Sequence, residues 1–137
     1  MRTAIDSNIL SALWSRERFA AEIARTLSDA KNQGGLVMGA PAYAELLAYP
    51  RATQVFVDDF LADTGIVVDF EIPQKLWIEA GRRFARYAGR RRKSSRQSPR
   101  RLLVDFLVGA HALSQADRLM TLDSKLYKQD FPDLKLV

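Results

Sequence analysis

The stretch AIDSNIL, residues 4–10, places a carboxylate between a short apolar run and the start of a helical pattern. Residues 2–5 are predicted to form a strand, and Leu10, Leu13 and Trp14 have the i, i+3, i+4 spacing of one helix face. Asp6 would then follow the strand and precede the helix. An aspartate at this junction can cap the helix, because its side chain accepts from free backbone N–H groups. It can equally be a metal ligand, and the rest of the sequence has to decide between the two.

The remaining chain alternates predicted strands with predicted helices. Strands are expected at LVMGA (36–40), IVVDF (66–70) and RLMTL (118–122), with LKLV (134–137) as a last strand. Helices are expected over 7–14, over 16–32, from Pro41, over 52–63, from Pro73, over 102–116 and from Asp123. This alternation predicts an α/β fold, with a parallel sheet of four or five strands flanked by helices on both faces. At 137 residues the chain is expected to be a single domain, 1–137.

Composition excludes several classes of protein. Apolar residues make up 47% of the chain and charged residues 27%, which is typical of a folded globular domain. The sequence has no cysteine, so disulfide staples, zinc–thiolate sites and cysteine nucleophiles are excluded. The N-terminus lacks a secretory-signal pattern, and no apolar run approaches the roughly 18 residues that a membrane span needs. We therefore expect a cytoplasmic protein with no membrane partner.

The positive charge is concentrated in one segment. Residues 82–101 contain ten of the 21 lysine and arginine residues and no acidic residue, which leaves 11 basic and 16 acidic residues elsewhere. Residues 89–101, GRRRKSSRQSPRR, are expected to form a basic surface loop, because Pro99 makes a continuous helix unfavourable. Such a segment typically binds phosphates or an acidic partner. It can also be a solvated loop that only keeps the protein soluble.

Four acidic residues are expected at one end of the predicted sheet: Asp6, Glu45, Asp105 and Asp123. Each has a simple structural explanation when taken alone, as a helix cap, a partner for a helix N-terminus or a solvated residue. Four carboxylates at one sheet edge would repel one another, and a divalent cation would remove that repulsion. Oxygen ligands without imidazole or thiolate suit Mg²⁺ or Mn²⁺. The single histidine, His111, is expected to be a packed or surface residue rather than a ligand.

The sequence resembles the PIN-domain ribonucleases, in particular the VapC-type toxins of bacterial and archaeal toxin–antitoxin pairs. The resemblance covers nearly the whole chain. Four stretches carry it, in this order: IDSNIL (5–10), PAYAELL (41–47), VDFLVGAHAL (104–113) and LMTLDSKLYKQDFPDLKLV (119–137). The most specific parts are the DFLVGAHA string and the threonine two places before Asp123.

This resemblance implies a PIN fold and a metal-dependent endoribonuclease that uses Mg²⁺ or Mn²⁺. The implied catalytic and metal-binding residues are Asp6, Glu45, Asp105 and Asp123, with Asp6 and Asp105 as direct ligands. Asn8 and Thr121 match polar residues of the family and are expected to hydrogen-bond the carboxylates. The implied partners are RNA, a cognate antitoxin and a second copy of the chain in a homodimer.

The basic segment is not part of the family pattern, so its role is our own inference. The residues expected to contact RNA phosphates are Arg90, Arg91, Arg92, Lys93, Arg96, Arg100 and Arg101. The alternative from another class is a PIN-fold module that binds RNA or a protein without cutting. A haloacid-dehalogenase-type phosphatase is disfavoured, because it needs a second aspartate where this chain has Asn8. A receiver domain is disfavoured because Asp69 lacks the usual acidic pair at the N-terminus.

Overall fold

The computed structural model describes residues 1–94 and 100–137, which form four strands and seven helices. The strands are β1 (Thr3–Ile5), β2 (Leu36–Gly39), β3 (Ile66–Asp69) and β4 (Arg118–Met120). The helices are α1 (Ser7–Trp14), α2 (Ala20–Gln33), α3 (Ala40–Leu46), α4 (Gln54–Thr64), α5 (Gln74–Lys93), α6 (Leu103–Gln115) and α7 (Ser124–Asp130). The predicted α/β class is confirmed.

The sheet is entirely parallel, in the order β3-β2-β1-β4. Thr3 of the central strand β1 is opposite both Leu36 of β2 and Arg118 of β4. The predicted last strand is reduced to one parallel bridge between Leu119 and Leu136. Because all four strands run the same way, the junctions that follow them gather at one edge of the sheet, where α/β proteins place their functional crevices.

Helix α6 is the element that covers the sheet most closely. Its residues from Phe106 to Ala112 are all buried. Gly109 allows the ring of Phe131, at the end of α7, to pack directly on α6, because a Cβ atom there would lie 2.6 Å from that ring. The same helix carries Asp105 in its first turn, so its seating against the core also sets the position of a candidate site residue.

The basic segment differs from its prediction. Residues 89–93 are not loop: they are the last residues of α5, which ends at Lys93. Arginine and lysine are good helix formers, and positive side chains complement the carbonyl end of a helix, so the basic run extends α5 instead of ending it. Arg96 and Pro99 lie outside the described residues.

The other boundaries agree with the sequence to within a few residues. Helix α2 begins at Ala20 rather than at residue 16, because residues 15–19 form turns, and Arg16 has a positive φ of 50°. Within residues 1–94 and 100–137, the structure contains no helix long and apolar enough to cross a membrane.

Two helical glycines give a matched test of the packing of α6. Gly109→Ala should lower the free energy of unfolding by about 1–3 kcal/mol, since the added methyl group would overlap the Phe131 ring. Gly81→Ala on α5 meets nothing within 4 Å and should stabilise the protein by up to about 1 kcal/mol through helix propensity. Urea denaturation measures both changes. Equal stability of the two variants would contradict the tight seating of α6.

Candidate active site

Asp6 lies where the central strand meets α1 and is 6% exposed. It caps α1, because its Oδ1 accepts from the backbone N of Ser7 at 2.8 Å. Its Oδ2 accepts from Thr121 Oγ1 at 2.8 Å and from Asn8 Nδ2 at 3.4 Å. Burial raises the pKa of Asp6 to about 6, with a further rise from the charges of Glu45 and Asp105 and opposing hydrogen bonds from Thr121 and Ser7. Capping uses one oxygen only, so this residue is both a cap and part of a carboxylate cluster.

Asn8 and Thr121 tie the start of α1 to the end of β4. Asn8 Nδ2 donates to Thr121 Oγ1 at 3.3 Å, and Asn8 Oδ1 accepts from the backbone N of Leu122 at 3.1 Å. Thr121 Oγ1 also accepts from the backbone N of Asp123 at 3.0 Å. The hydrogen bonds to a carboxylate expected of Asn8 and Thr121 are therefore present, and Asp6 is the carboxylate that receives them.

Glu45 approaches the cluster from α3, on the solvent side. Its Oε1 accepts from Ser7 Oγ at 3.0 Å. Loss of surrounding water raises the pKa of Glu45, the charge of Asp105 adds to the rise, and the Ser7 hydrogen bond opposes it. Ser7 thus connects two of the four acids through its backbone N–H and its hydroxyl group. Ser7 was not among the predicted site residues, although it directly follows Asp6.

Asp105 enters from the first turn of α6. Its Oδ2 accepts from the backbone N of Leu102 at 3.0 Å. Partial burial raises the pKa of Asp105, and the charge of Asp123 adds to the rise, while the Leu102 hydrogen bond and the charge of Arg101 lower it. The expected role of this residue at a helix N-terminus is therefore compatible with membership of the cluster.

Tyr127 is a buried residue that the sequence analysis missed. Its Oη donates to the carbonyl oxygen of Asp105 at 3.2 Å and lies 3.5 Å from Asp6 Oδ2. Burial and the surrounding carboxylates raise the pKa of Tyr127, so the phenol stays protonated and remains a donor. Its only sequence signal was its position one helical turn after Asp123.

Asp123 differs from a simple helix cap. It occupies the N-cap position of α7, yet within the described residues its side chain makes no capping hydrogen bond. Its Oδ2 instead accepts from Arg101 Nη1 at 2.8 Å. The capping explanation for Asp123 is therefore wrong in this structure. Arg101, from the basic segment, forms an ion pair with this acid of the cluster.

The four acids form a set of oxygen donors with the chemistry that Mg²⁺ or Mn²⁺ prefers. Among the described side chains, however, no three acidic or histidine groups stand close enough to hold one ion as they are. Each of three acids is held by its own donor, namely Ser7 for Glu45, Leu102 for Asp105 and Arg101 for Asp123. Binding an ion therefore requires some of these side chains to move closer together.

His111 takes no part in this cluster. It is 1% exposed, and its Nε2 lies 2.9 Å from Oδ2 of Asp69 at the end of β3. The ring also packs on Gly39, where an added Cβ would lie 2.9 Å from Nδ1. The expectation that His111 is a packed residue rather than a ligand agrees with this position.

The basic residues that were expected to bind RNA lie in different surroundings. Arg90 forms an ion pair with Asp130, whose side chain is 3% exposed, so Arg90 serves the fold. Four others line a cavity of about 320 Å³ between α5 and the start of α6: Arg91, Arg92, Arg100 and Arg101. The Nε of Arg91 is buried and has no hydrogen-bond partner among the described residues. Lys93 is exposed at the end of α5.

Comparisons with known proteins agree with this architecture. The family model described as PIN domain matches residues 3–132. A chain in the crystal structure of VapBC2 from Rickettsia felis bound to a DNA fragment from their promoter has a TM-score of 0.73 and 18% identity, covering 100% of this chain and 98% of that chain. A chain of VapBC-1 from nontypeable Haemophilus influenzae has a TM-score of 0.64 and 20% identity, with 100% and 97% covered. No curated protein matches the sequence.

The raised pKa of Asp6 predicts a pH-dependent stability in metal-free protein. The folded state keeps this proton up to about pH 6, whereas the unfolded state releases it near 3.8. Stability contributed by the protonated form is therefore lost as the pH rises through this range. Asp6→Asn has no proton to lose, so its stability relative to wild type should increase by about 2–3 kcal/mol between pH 4 and pH 7.

Urea denaturation in EDTA at several pH values measures this difference. The stability that Asp6→Asn gains over wild type at pH 7 should be about 1 kcal/mol smaller than this change with pH. The reason is that the amide replaces one of the two acceptor oxygens of the carboxylate. Asp59→Asn, on the exposed side of α4, serves as the control and should show no such trend. A constant difference between Asp6→Asn and wild type across the range would contradict the buried-carboxylate interpretation.

Proposed function

Because the chain belongs to the PIN domain family, we propose that it is a divalent-metal-dependent endoribonuclease and the toxin of a VapC-type toxin–antitoxin pair. The observation that carries this proposal is the convergence of Asp6, Glu45, Asp105 and Asp123 at one sheet edge, where burial and mutual repulsion raise the pKa values of three of them. Such an arrangement is costly for the apo fold and is resolved by a cation. The likeness to chains of two VapBC structures supports the toxin assignment.

The four acids would hold Mg²⁺ or Mn²⁺, with Asp6 and Asp105 as direct ligands. Glu45 and Asp123 would bind through water, or one of them would orient the attacking water. When bound, the ion lowers the pKa of a water molecule and stabilises the negative charge on the attacking and leaving oxygens of the phosphodiester. No covalent intermediate with the protein is needed.

The surrounding side chains would orient the acids. Thr121, Asn8 and the backbone N–H of Ser7 fix both oxygens of Asp6, so this carboxylate needs little reorganisation. Ser7 Oγ holds Glu45 on the solvent side, where a water molecule can enter. Tyr127 closes the floor of the site and keeps the Asp105 turn close to Asp6.

The basic residues would hold the RNA backbone beside the acids. Arg91, Arg92, Arg100 and Arg101 lie around one cavity next to the Asp105 helix, and Lys93 extends this surface. Arg90 belongs to the predicted RNA-contacting set, and its pairing with the buried Asp130 would give it a structural role instead. Arg96 belongs to the expected set and lies outside the described residues.

Two further parts of the proposal rest on the family and on the two VapBC likenesses. A cognate antitoxin would cover the acidic crevice and place a basic residue near the acids, which would stop cleavage. The chain would also form a homodimer, and it would act in the cytoplasm, where its RNA substrate is found.

The second candidate function is a PIN-fold module that binds RNA or a protein without cutting. It is favoured by one observation, namely that the described acids do not form a ready-made site for an ion. An RNA-cleavage assay in EDTA and in Mn²⁺ separates the two functions, since a binding module would hold RNA under both conditions without shortening it.

Substitution of a direct ligand should abolish cleavage. Loss of a residue that only supports a metal ligand typically costs about 10–100-fold in activity, so Asp6→Asn and Asp105→Asn should each reduce RNA cleavage by more than about 100-fold. EDTA should stop wild-type cleavage, and Mn²⁺ or Mg²⁺ should restore it. The exposed control Asp59→Asn should cut at the wild-type rate. Wild-type activity in purified Asp6→Asn would refute the metal-site proposal.

The salt dependence of RNA binding tests the basic residues. Each phosphate neutralised on single-stranded RNA contributes roughly 0.7 to the slope of log K against log salt. Replacing Arg92, Lys93 and Arg100 by alanine should flatten that slope by about 1–2, with little change in the cleavage rate at saturating RNA.

Arg90→Ala is the matched control for this measurement. It should leave the salt slope unchanged and lower the free energy of unfolding by about 1–2 kcal/mol, since Asp130 would be left buried without its partner. This is less than the loss of a fully buried pair costs, because the Arg90 side chain is 44% exposed. A slope that changes in Arg90→Ala and not in the triple variant would reverse the assignment.

A further inference from the structure

Arg101 contacts both the acid cluster and the arginine-rich cavity. Its Nη1 donates to Asp123 Oδ2 at 2.8 Å, and the two side chains are 20% and 33% exposed. Of the residues that the structure describes, Arg101 is the one basic side chain ion-paired with any of the four clustered acids. The same residue also lines the arginine-rich cavity between α5 and α6.

The backbone of Arg101 is held independently of its side chain. Its backbone N donates to Tyr87 Oη at 2.5 Å, which fixes the chain between α5 and the start of α6. The long side chain can therefore change partners while the Cα stays in place. A guanidinium has five donors in a planar fork and suits a phosphate as well as it suits a carboxylate.

A metal ion and Arg101 cannot both use Asp123 without cost. The guanidinium occupies Oδ2, and a divalent cation beside the same carboxylate would be a like charge only a few ångströms away. In the free protein Arg101 thus competes with the ion for Asp123. An RNA phosphate in the cavity would offer Arg101 another anion and leave Asp123 free.

We propose that Arg101 is a positioning residue that blocks Asp123 in the free protein and moves to an RNA phosphate when substrate binds, which completes the metal site. This inference rests on the proposed metal-dependent nuclease function and adds a coupling between RNA and metal binding. Thermodynamic linkage makes the coupling reciprocal, so metal should strengthen RNA binding by the same factor as RNA strengthens metal binding.

The test measures Mn²⁺ affinity by calorimetry or by the EPR signal of free Mn²⁺, first without RNA. Arg101→Ala and Arg101→Gln should bind Mn²⁺ more tightly than wild type, by about 5- to 100-fold, the range typical of coupled sites. Arg101→Gln retains a side-chain donor without the charge and serves as the second variant if the alanine variant folds poorly. Arg25→Ala, which removes an exposed arginine on α2 outside the site, should keep the wild-type affinity.

The same titration is then repeated with an RNA oligonucleotide made non-cleavable by replacing the bridging oxygens of its phosphates with methylene groups, which keep the negative charge but cannot leave. In wild type and Arg25→Ala the oligonucleotide should raise the Mn²⁺ affinity, and in both Arg101 variants it should not. The Arg101 variants should also cut RNA more slowly at saturating RNA and Mn²⁺, although they bind the ion more tightly. A residue that served only the fold would not increase metal affinity when removed.

Two results would overturn the proposal. If wild type binds Mn²⁺ and cuts RNA while the Arg101 variants bind Mn²⁺ with unchanged or lower affinity, Arg101 does not block Asp123, although the nuclease function stands. If wild type neither binds Mn²⁺ nor cuts RNA, both the nuclease function and the role of Arg101 are wrong.

Discussion

The burial of carboxylates close to one another at the end of a parallel sheet is the constraint on which this site depends. Asp6 is the most buried of the four, and burial raises its pKa to about 6, so its charged form is less favourable than that of an exposed aspartate. Such a residue persists only if the surrounding structure is stable enough to hold it. The apolar core beneath it provides that stability, since Ile5 and Met120 at the ends of β1 and β4 are both almost completely buried.

Hydrogen-bond donors then stabilise the negative charge of the four acids. Ser7 donates to both Asp6 and Glu45, which joins α1 to α3, and Arg101 donates to Asp123, which joins the start of α6 to α7. Leu102 donates to Asp105 within the first turn of α6. Asp6 accepts hydrogen bonds from Ser7 and Asn8 of α1 and from Thr121 directly after β4, which holds both of its oxygens in place. Asp123 depends on the tip of a long arginine side chain, which makes it the most easily released. Because Asp6 is held in place and Asp123 can change partners, the site can keep its shape when a ligand binds.

The positions of the acids could be predicted because local rules determine them. A parallel sheet brings the residues after its strands to one edge, so Asp6 and Asp123 follow from the strand pattern and Asp105 from the start of an apolar helix. The ion pairs could not be predicted in the same way. Arg90 and Arg101 are equivalent members of one basic run, and their partners Asp130 and Asp123 lie 40 and 22 residues further along the chain. Only the packing of α5 against α6 and α7 decides which arginine faces which acid.

The extent of α5 shows the same limit for secondary structure. Pro99 predicted a loop over residues 89–101. The high helix propensity of arginine and lysine instead lets α5 continue to Lys93. This extension has a consequence for the site, because it aligns arginines along one helix next to α6. Arg83 and Arg90 face the C-terminal part of the chain and pair with Asp133 and Asp130. Arg91 instead lines the cavity next to Arg101. One basic helix therefore stabilises the fold with Arg83 and Arg90, while Arg91 and Arg92, which form no ion pair within the described residues, line the cavity that Arg101 shares.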